Sequence, residues 1–159
     1  MKFSVAAIIY SNNKYLFQKR DNKNNIFYPG YCSLFGGQNN KYEKPFNCIK
    51  RELLEEINLD FKTINYFMTV NLQSKVFKKK NSSIFNRYIY ICKLPNNYKK
   101  NIKALEGKGF ILENISKLNK LKIAPFDLAI TKFYHLLRNK RQIIPKKFLI
   151  SNYNDYFEF

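Results

Sequence analysis

The chain has no tryptophan and one histidine, His135, and its three cysteines, Cys32, Cys48 and Cys92, fall at no paired spacing. Without a Cys-x-x-Cys pair or a second histidine, a structural zinc site and histidine-based catalysis are excluded. An odd number of unpaired thiols points to a reducing, cytoplasmic setting instead of a disulfide framework. No apolar run approaches the ~18 residues of a membrane span, so no membrane partner is expected. Residues 3–10 are apolar behind Lys2, but the run is short and lacks a small-residue cleavage site, which argues against a secretion signal. Acid is the other shortage. Eleven Asp and Glu face 29 Lys and Arg, for a net charge of +18.

That imbalance has two readings. A basic surface attracts polyanions such as nucleotides or RNA. The basic residues are scattered, however, and Lys, Asn, Ile, Tyr and Phe are all abundant, as compositional drift in an AT-rich genome produces. Drift is the favoured reading, with some help toward anionic substrates. With 159 residues, 45% of them apolar, the chain is long enough for one folded domain with a real core.

Four of the scarce acids lie in one stretch, residues 37–59. Pro45 suits a first helical position, and Asn58 is the best substitute for glycine as the left-handed residue that closes a helix. The helix between them has about three and a half turns. Phe46, Ile49, Leu53 and Ile57 form its core stripe. Glu52, Glu55 and Glu56 share an arc of ~100° beside that stripe, with the small Cys48 among them. Arg51 stands four residues before Glu55, within reach of an ion pair. Packed carboxylates repel one another unless a cation neutralises them. Oxygen-only, anionic ligands suit a hard divalent ion such as Mg²⁺. Glu43 approaches from the loop before the helix, and Gly36-Gly37 lets the backbone come close enough for a carbonyl to join the ligand set.

Along the rest of the chain, residues 3–10, 14–19, 31–35, 61–72 and 84–94 read as strands. A basic loop, 75–83, carries Lys78-Lys79-Lys80, more often a solvated hairpin tip than a binding site. Residues 104–112 read as a strand interrupted by Gly107 and Gly109, and 113–121 as a short helix. A second long helix begins at Pro125, with Phe126, Ile130, Phe133 and Leu137 on its core stripe. His135 falls off that stripe, which predicts an exposed residue unrelated to the chemistry. The tail, 142–159, is aromatic and aperiodic, leaving 1–141 as the domain. Pattern alone gives α+β or α/β.

The order Gly37, five residues, Glu43, seven residues, Arg51-Glu52-Leu53-Leu54-Glu55-Glu56-Ile57-Asn58-Leu59 resembles the signature of the Nudix (MutT-like) hydrolases, with Asn58 in place of the last glycine. The resemblance implies an α/β/α sandwich around a mixed sheet. It also implies hydrolysis of a diphosphate linkage in a nucleoside diphosphate derivative: a nucleotide, a nucleotide sugar or a dinucleoside polyphosphate. Glu52, Glu55, Glu56 and the Gly37 carbonyl would hold Mg²⁺, for which Mn²⁺ substitutes, and Arg51 would orient a glutamate. Glu106, an acid beside glycine late in the chain, matches by position and context a glutamate that binds metal or helps activate water in many of these enzymes. Lys19, Arg20 and Arg87 are candidate phosphate contacts. Two alternatives stay open: an RNA 5′-end pyrophosphohydrolase, and a Nudix-fold sensor that binds nucleotide or RNA without hydrolysis.

Overall fold

The structure, a computed structural model, describes residues 2–23, 26, 28–74, 83–140 and 147–149. The lysine run at 78–80 lies outside the described residues. The two N-terminal strands fall where alternation put them, β1 at Phe3–Ser11 and β2 at Lys14–Lys19. They form a hairpin whose turn carries Asn12 at φ 51°. Asparagine tolerates this left-handed region better than most residues.

Three longer elements build the frame. Helix α1 spans Pro45–Ile57, and strands β4 (Ile64–Ser74) and β5 (Ser83–Lys93) pair antiparallel across a bulge between Tyr66 and Met68. β1 runs parallel to β5, so the sheet is mixed. The strand expected at 31–35 contracts to β3, Cys32–Ser33. It enters where β1 and β2 diverge: Ser33 pairs with Gln18 on one side, and Phe35 bridges to Ala7 on the other.

The region after β5 departs most from expectation. Within 95–103 a single helical turn, α2, forms at Tyr98–Asn101. The strand expected over 104–112 exists only from Phe110, as β6 (Phe110–Asn114) on the outer edge of β2. Gly107 and Gly109, at φ 71° and 101°, hold the preceding segment in a turn. The expected helix at 113–121 is a 3-10 helix, Ile115–Lys120, started by the Asn114 side chain accepting the Ser116 amide. Helix α3 spans Pro125–Lys140. In the tail, β7 (Lys147–Leu149) pairs parallel with β4.

Strand alternation sorts the core into two layers. Ala6 and Ile8 of β1 face α3 and the 3-10 helix, with Phe17, Met68, Ile89, Phe126 and Ile130. Val5, Ala7 and Ile9 face α1, with Leu16, Ile49, Leu53 and Ile57. This is an α/β/α sandwich around a mixed sheet. His135 is partly buried, not exposed. Its Nδ1 lies 2.9 Å from the Tyr15 hydroxyl, a contact that also holds the ring edge-on to Tyr15.

Candidate active site

Helix α1 presents its acids beside the stripe that anchors it. Ile49, Leu53 and Ile57 are buried as periodicity requires, whereas Phe46, at 47% exposed, is not in the core. It is the second residue of the helix, where the Tyr90 ring meets its own edge-on. Cys48 lies among the acids as expected, but fully buried, with Arg51 Nη2 3.4 Å from its sulfur. Burial, followed by the neighbouring Glu43, pushes its thiol up to about 12, so it stays an inert thiol.

Arg51 straps the site together. Its Nε and Nη2 donate to the two oxygens of Glu43 at 2.9 Å each, a bidentate fork. Its Nη1 reaches Glu52 and Glu55, both at 2.8 Å. The i, i+4 contact expected with Glu55 is thus one of three carboxylate contacts. The fork holds the Glu43 carboxyl down at about 2, and the carboxylates in turn raise the guanidinium further above its ordinary value.

Glu56 points the other way, into the protein, and is 5% exposed. The Gly36 amide donates to its Oε2 at 2.8 Å and the Gln18 Nε2 to its Oε1 at 2.9 Å. Burial pushes its carboxyl up to about 8, and the charges of Glu52 and Glu106 add to the rise, against those two hydrogen bonds. Burial likewise raises Glu52, with Arg51 opposing. Glu106 is exposed, yet its field reaches both residues because its loop is tied to α1. Leu105 N donates to the Glu56 carbonyl at 2.9 Å and Lys103 N to that of Ile57 at 3.1 Å. Lys108 N then donates to the Lys19 carbonyl at 2.7 Å.

The glycines are spaced for close approach. A Cβ on Gly37 would stand 2.6 Å from both Glu52 oxygens, so a larger residue there would displace the Glu52 carboxylate. The Gly37 carbonyl itself turns toward β1 and accepts from Val5 N at 2.9 Å, a partner that the sequence did not disclose. Phe35 does the same toward Ala7 N. The backbone between them turns its Gly36 amide to Glu56.

Among the described residues, no three acidic, Cys or His side chains already converge as a metal cage, because Arg51 spans three of these acids. The donor chemistry nevertheless fits a hard cation. Four carboxylates of α1 and its flanking loop share one region, one of them buried at an energetic cost that a positive ion would relieve.

Sequence reasoning missed Gln18 and Asp127, and it gave Gly36 a close backbone approach but not the amide bond to Glu56. Gln18 reads as an ordinary strand residue until Ser33 pairs with it, and Asp127 as a first-turn acid favoured by the helix dipole. Buried Asp127 accepts the Leu34 amide at 3.0 Å and lies 3.1 Å from Arg87 Nη2. Arg87 is therefore engaged beneath α3, stacked on Phe126. On that face Ser4 Oγ and Arg87 Nε are buried without a hydrogen-bond partner, and Ser4 pairs with Arg87 in register. Lys19 is exposed and Arg20 partly buried.

A model of the NUDIX domain matches residues 1–132. No curated protein matches the chain. Among solved structures, it is similar to the mutator MutT protein of Bacillus halodurans, at 15% identity over 83% of this chain and 80% of that one, with a TM-score of 0.61. It is also similar to the NUDIX domain of Shewanella oneidensis NrtR complexed with ADP ribose, at 15% identity over 88% of each chain and a TM-score of 0.67. The dihydroneopterin triphosphate pyrophosphohydrolase of E. coli aligns at 14% identity over 84% of this chain and 94% of that one, with a TM-score of 0.67. At such identities these likenesses carry the fold.

Proposed function

Because the chain belongs to the Nudix family and is a hydrolase of acid anhydrides in phosphorus-containing compounds, we propose that it cleaves a diphosphate linkage in a nucleoside diphosphate derivative, with Mg²⁺ held by the α1 carboxylates. Mn²⁺ substitutes in the same oxygen-ligand set. The observation that carries this reading is Glu56: a buried carboxyl pushed up to about 8 beside Glu52 and Glu55. A solvated structural face has no reason to sink one of its acids. Glu52, Glu55 and Glu56 are the side-chain ligands. The carbonyl that completes the set is better assigned to Gly36 than to Gly37, whose oxygen is taken by Val5 N. The ion supplies neutralisation of phosphate oxygens and a lowered pKa for a water.

The chain's own groups do the rest. Gln18 and Gly36 fix the orientation of Glu56. Arg51 positions Glu52 and Glu55 and yields an N–H contact when they turn to the cation. Glu106, on a loop tied to the end of α1, is placed to accept a proton from the attacking water. The unpartnered atoms of Ser4 and Arg87 beneath α3 offer hydrogen bonds to the nucleoside. Residues 1–141 form the hydrolytic unit with 142–159 as a tail, and we place the protein in the cytoplasm on its unpaired cysteines.

RNA with a 5′ polyphosphate is the second substrate class, favoured by the net charge of +18. The test is a panel of nucleotides, nucleotide sugars, dinucleoside polyphosphates and 5′-triphosphorylated RNA, assayed for released phosphate or monophosphate. Activity on one class should need Mg²⁺ or Mn²⁺ and vanish in chelator. Full activity in chelator contradicts the proposal. Metal-dependent nucleotide binding without turnover would make the protein a sensor.

A further inference from the structure

At the C-terminal end of α1, beyond the carboxylates, a cleft of about 740 Å³ opens between the segment after the helix and the end of β5. Four lysines line it, Lys62, Lys93, Lys100 and Lys103, against one acid, Asp60. They come from two segments that the fold brings together: Lys62 from the stretch after α1, and Lys93, Lys100 and Lys103 from the end of β5 through α2 and just beyond it. A charge run solvated on one face would come from one segment, so the convergence is a product of the fold. Among the described residues, none of the four ammonium groups is paired with a carboxylate.

A helix C-terminus ordinarily repels anions, because its last carbonyls are unsatisfied. Here that end is capped by backbone amides. Asn58 N donates to Leu54, Lys103 N to Ile57 and Leu105 N to Glu56. The lysines therefore dominate the local potential. Phe61 gives the cleft an apolar, buried floor. The volume lies in the ~300–1,000 Å³ range of small-molecule sites, whereas a nucleic-acid surface runs as an extended groove.

We propose that this cleft is a second binding site, separate from the carboxylates of α1, for a compact polyphosphate anion. The anion is either inorganic polyphosphate or the polyphosphate of a nucleotide. Several ammonium groups around one concavity match the several charges of such a ligand, each contact a charge-assisted hydrogen bond.

The test is calorimetric titration with inorganic tripolyphosphate, in chelator so that no metal can bridge the anion to α1. Three proteins are compared: the wild type, Lys62→Ala/Lys100→Ala, and a control with the same charge loss, Lys117→Ala/Lys120→Ala, on the exposed 3-10 helix. The wild type should bind. The cleft variant should bind at least about tenfold more weakly, and the control within about twofold of wild type. Thermal melting and Mg²⁺-dependent turnover of the cleft variant should match wild type. A nucleoside triphosphate binding more tightly than tripolyphosphate, with the same lysine dependence, identifies the nucleotide as the source. Absent binding, or equal weakening in both variants, overturns the proposal in favour of uniform attraction by a basic protein. Lysine-dependent binding of a single-stranded RNA in place of tripolyphosphate overturns it in favour of a nucleic-acid surface.

Discussion

Glu43 and Glu56 lie at opposite ends of the site's segment, and the fold moves their carboxyls in opposite directions. For Glu56 the folded value is raised, from 4.5 to about 8. Its protonated form is favoured by folding, so that stabilisation is complete below the unfolded value and is lost as pH rises through about 8. The term is on the order of 5 kcal/mol at most. In chelator, the melting temperature of wild type should therefore fall relative to Glu56→Gln between about pH 5 and about pH 9. A difference independent of pH contradicts the assignment. For Glu43 the folded value is lowered to about 2 by the Arg51 fork. Its stabilisation is present above 4.5 and disappears as pH falls through the folded value. Arg51→Lys keeps the charge and loses the fork, and should cost about 1–2 kcal/mol in urea unfolding. Unchanged stability would show that the fork contributes nothing beyond its charge.

At the scale of the element, α1 was legible because each of its signals is local. Pro45 starts it, and Asn58 closes it at φ 54° and ψ 37°, its amide donating to Leu54. Asn58→Gly should be neutral or mildly stabilising, whereas Asn58→Val should cost about 1 kcal/mol or more, because a branched side chain resists the left-handed region. Equal melting temperatures for the two variants contradict that role. What local pattern could not carry is what lies across from an element. Phe46 matched the stripe, yet the sheet does not extend over the first turn to cover it. Residues 104–109 read as the start of a strand, but the Leu105 amide is spent on the Glu56 carbonyl and the Lys108 amide on that of Lys19. Only those contacts bring Glu106 toward the other acids. Gln18, Asp127 and the bond of the Gly36 amide were invisible for the same reason, since each is defined by a partner 20 or more residues away.

For the whole molecule, the apolar run along β1 announced a largely buried strand, and the two helices flanking it supplied the layers. The strand order β3-β2-β1-β5-β4-β7, with β1 parallel to β5, has no such signature, because pairing partners are chosen by packing over the full chain. The signature supplied what periodicity could not. It fixed which acids belong together before any distance was known, and left Arg87 and Lys19 undistinguished from surface charge. The central claim is that the α1 acids hold a catalytic cation, and one comparison tests it most directly. Turnover is measured in Mg²⁺ for wild type and Glu56→Gln on whichever diphosphate compound the panel selects, with melting temperatures taken in chelator near neutral pH. The account predicts at least ~100-fold slower turnover in the variant, together with a melting temperature equal to or above that of wild type, because the cost of keeping the buried Glu56 carboxyl protonated at that pH is removed. Equal turnover in the two proteins would contradict it.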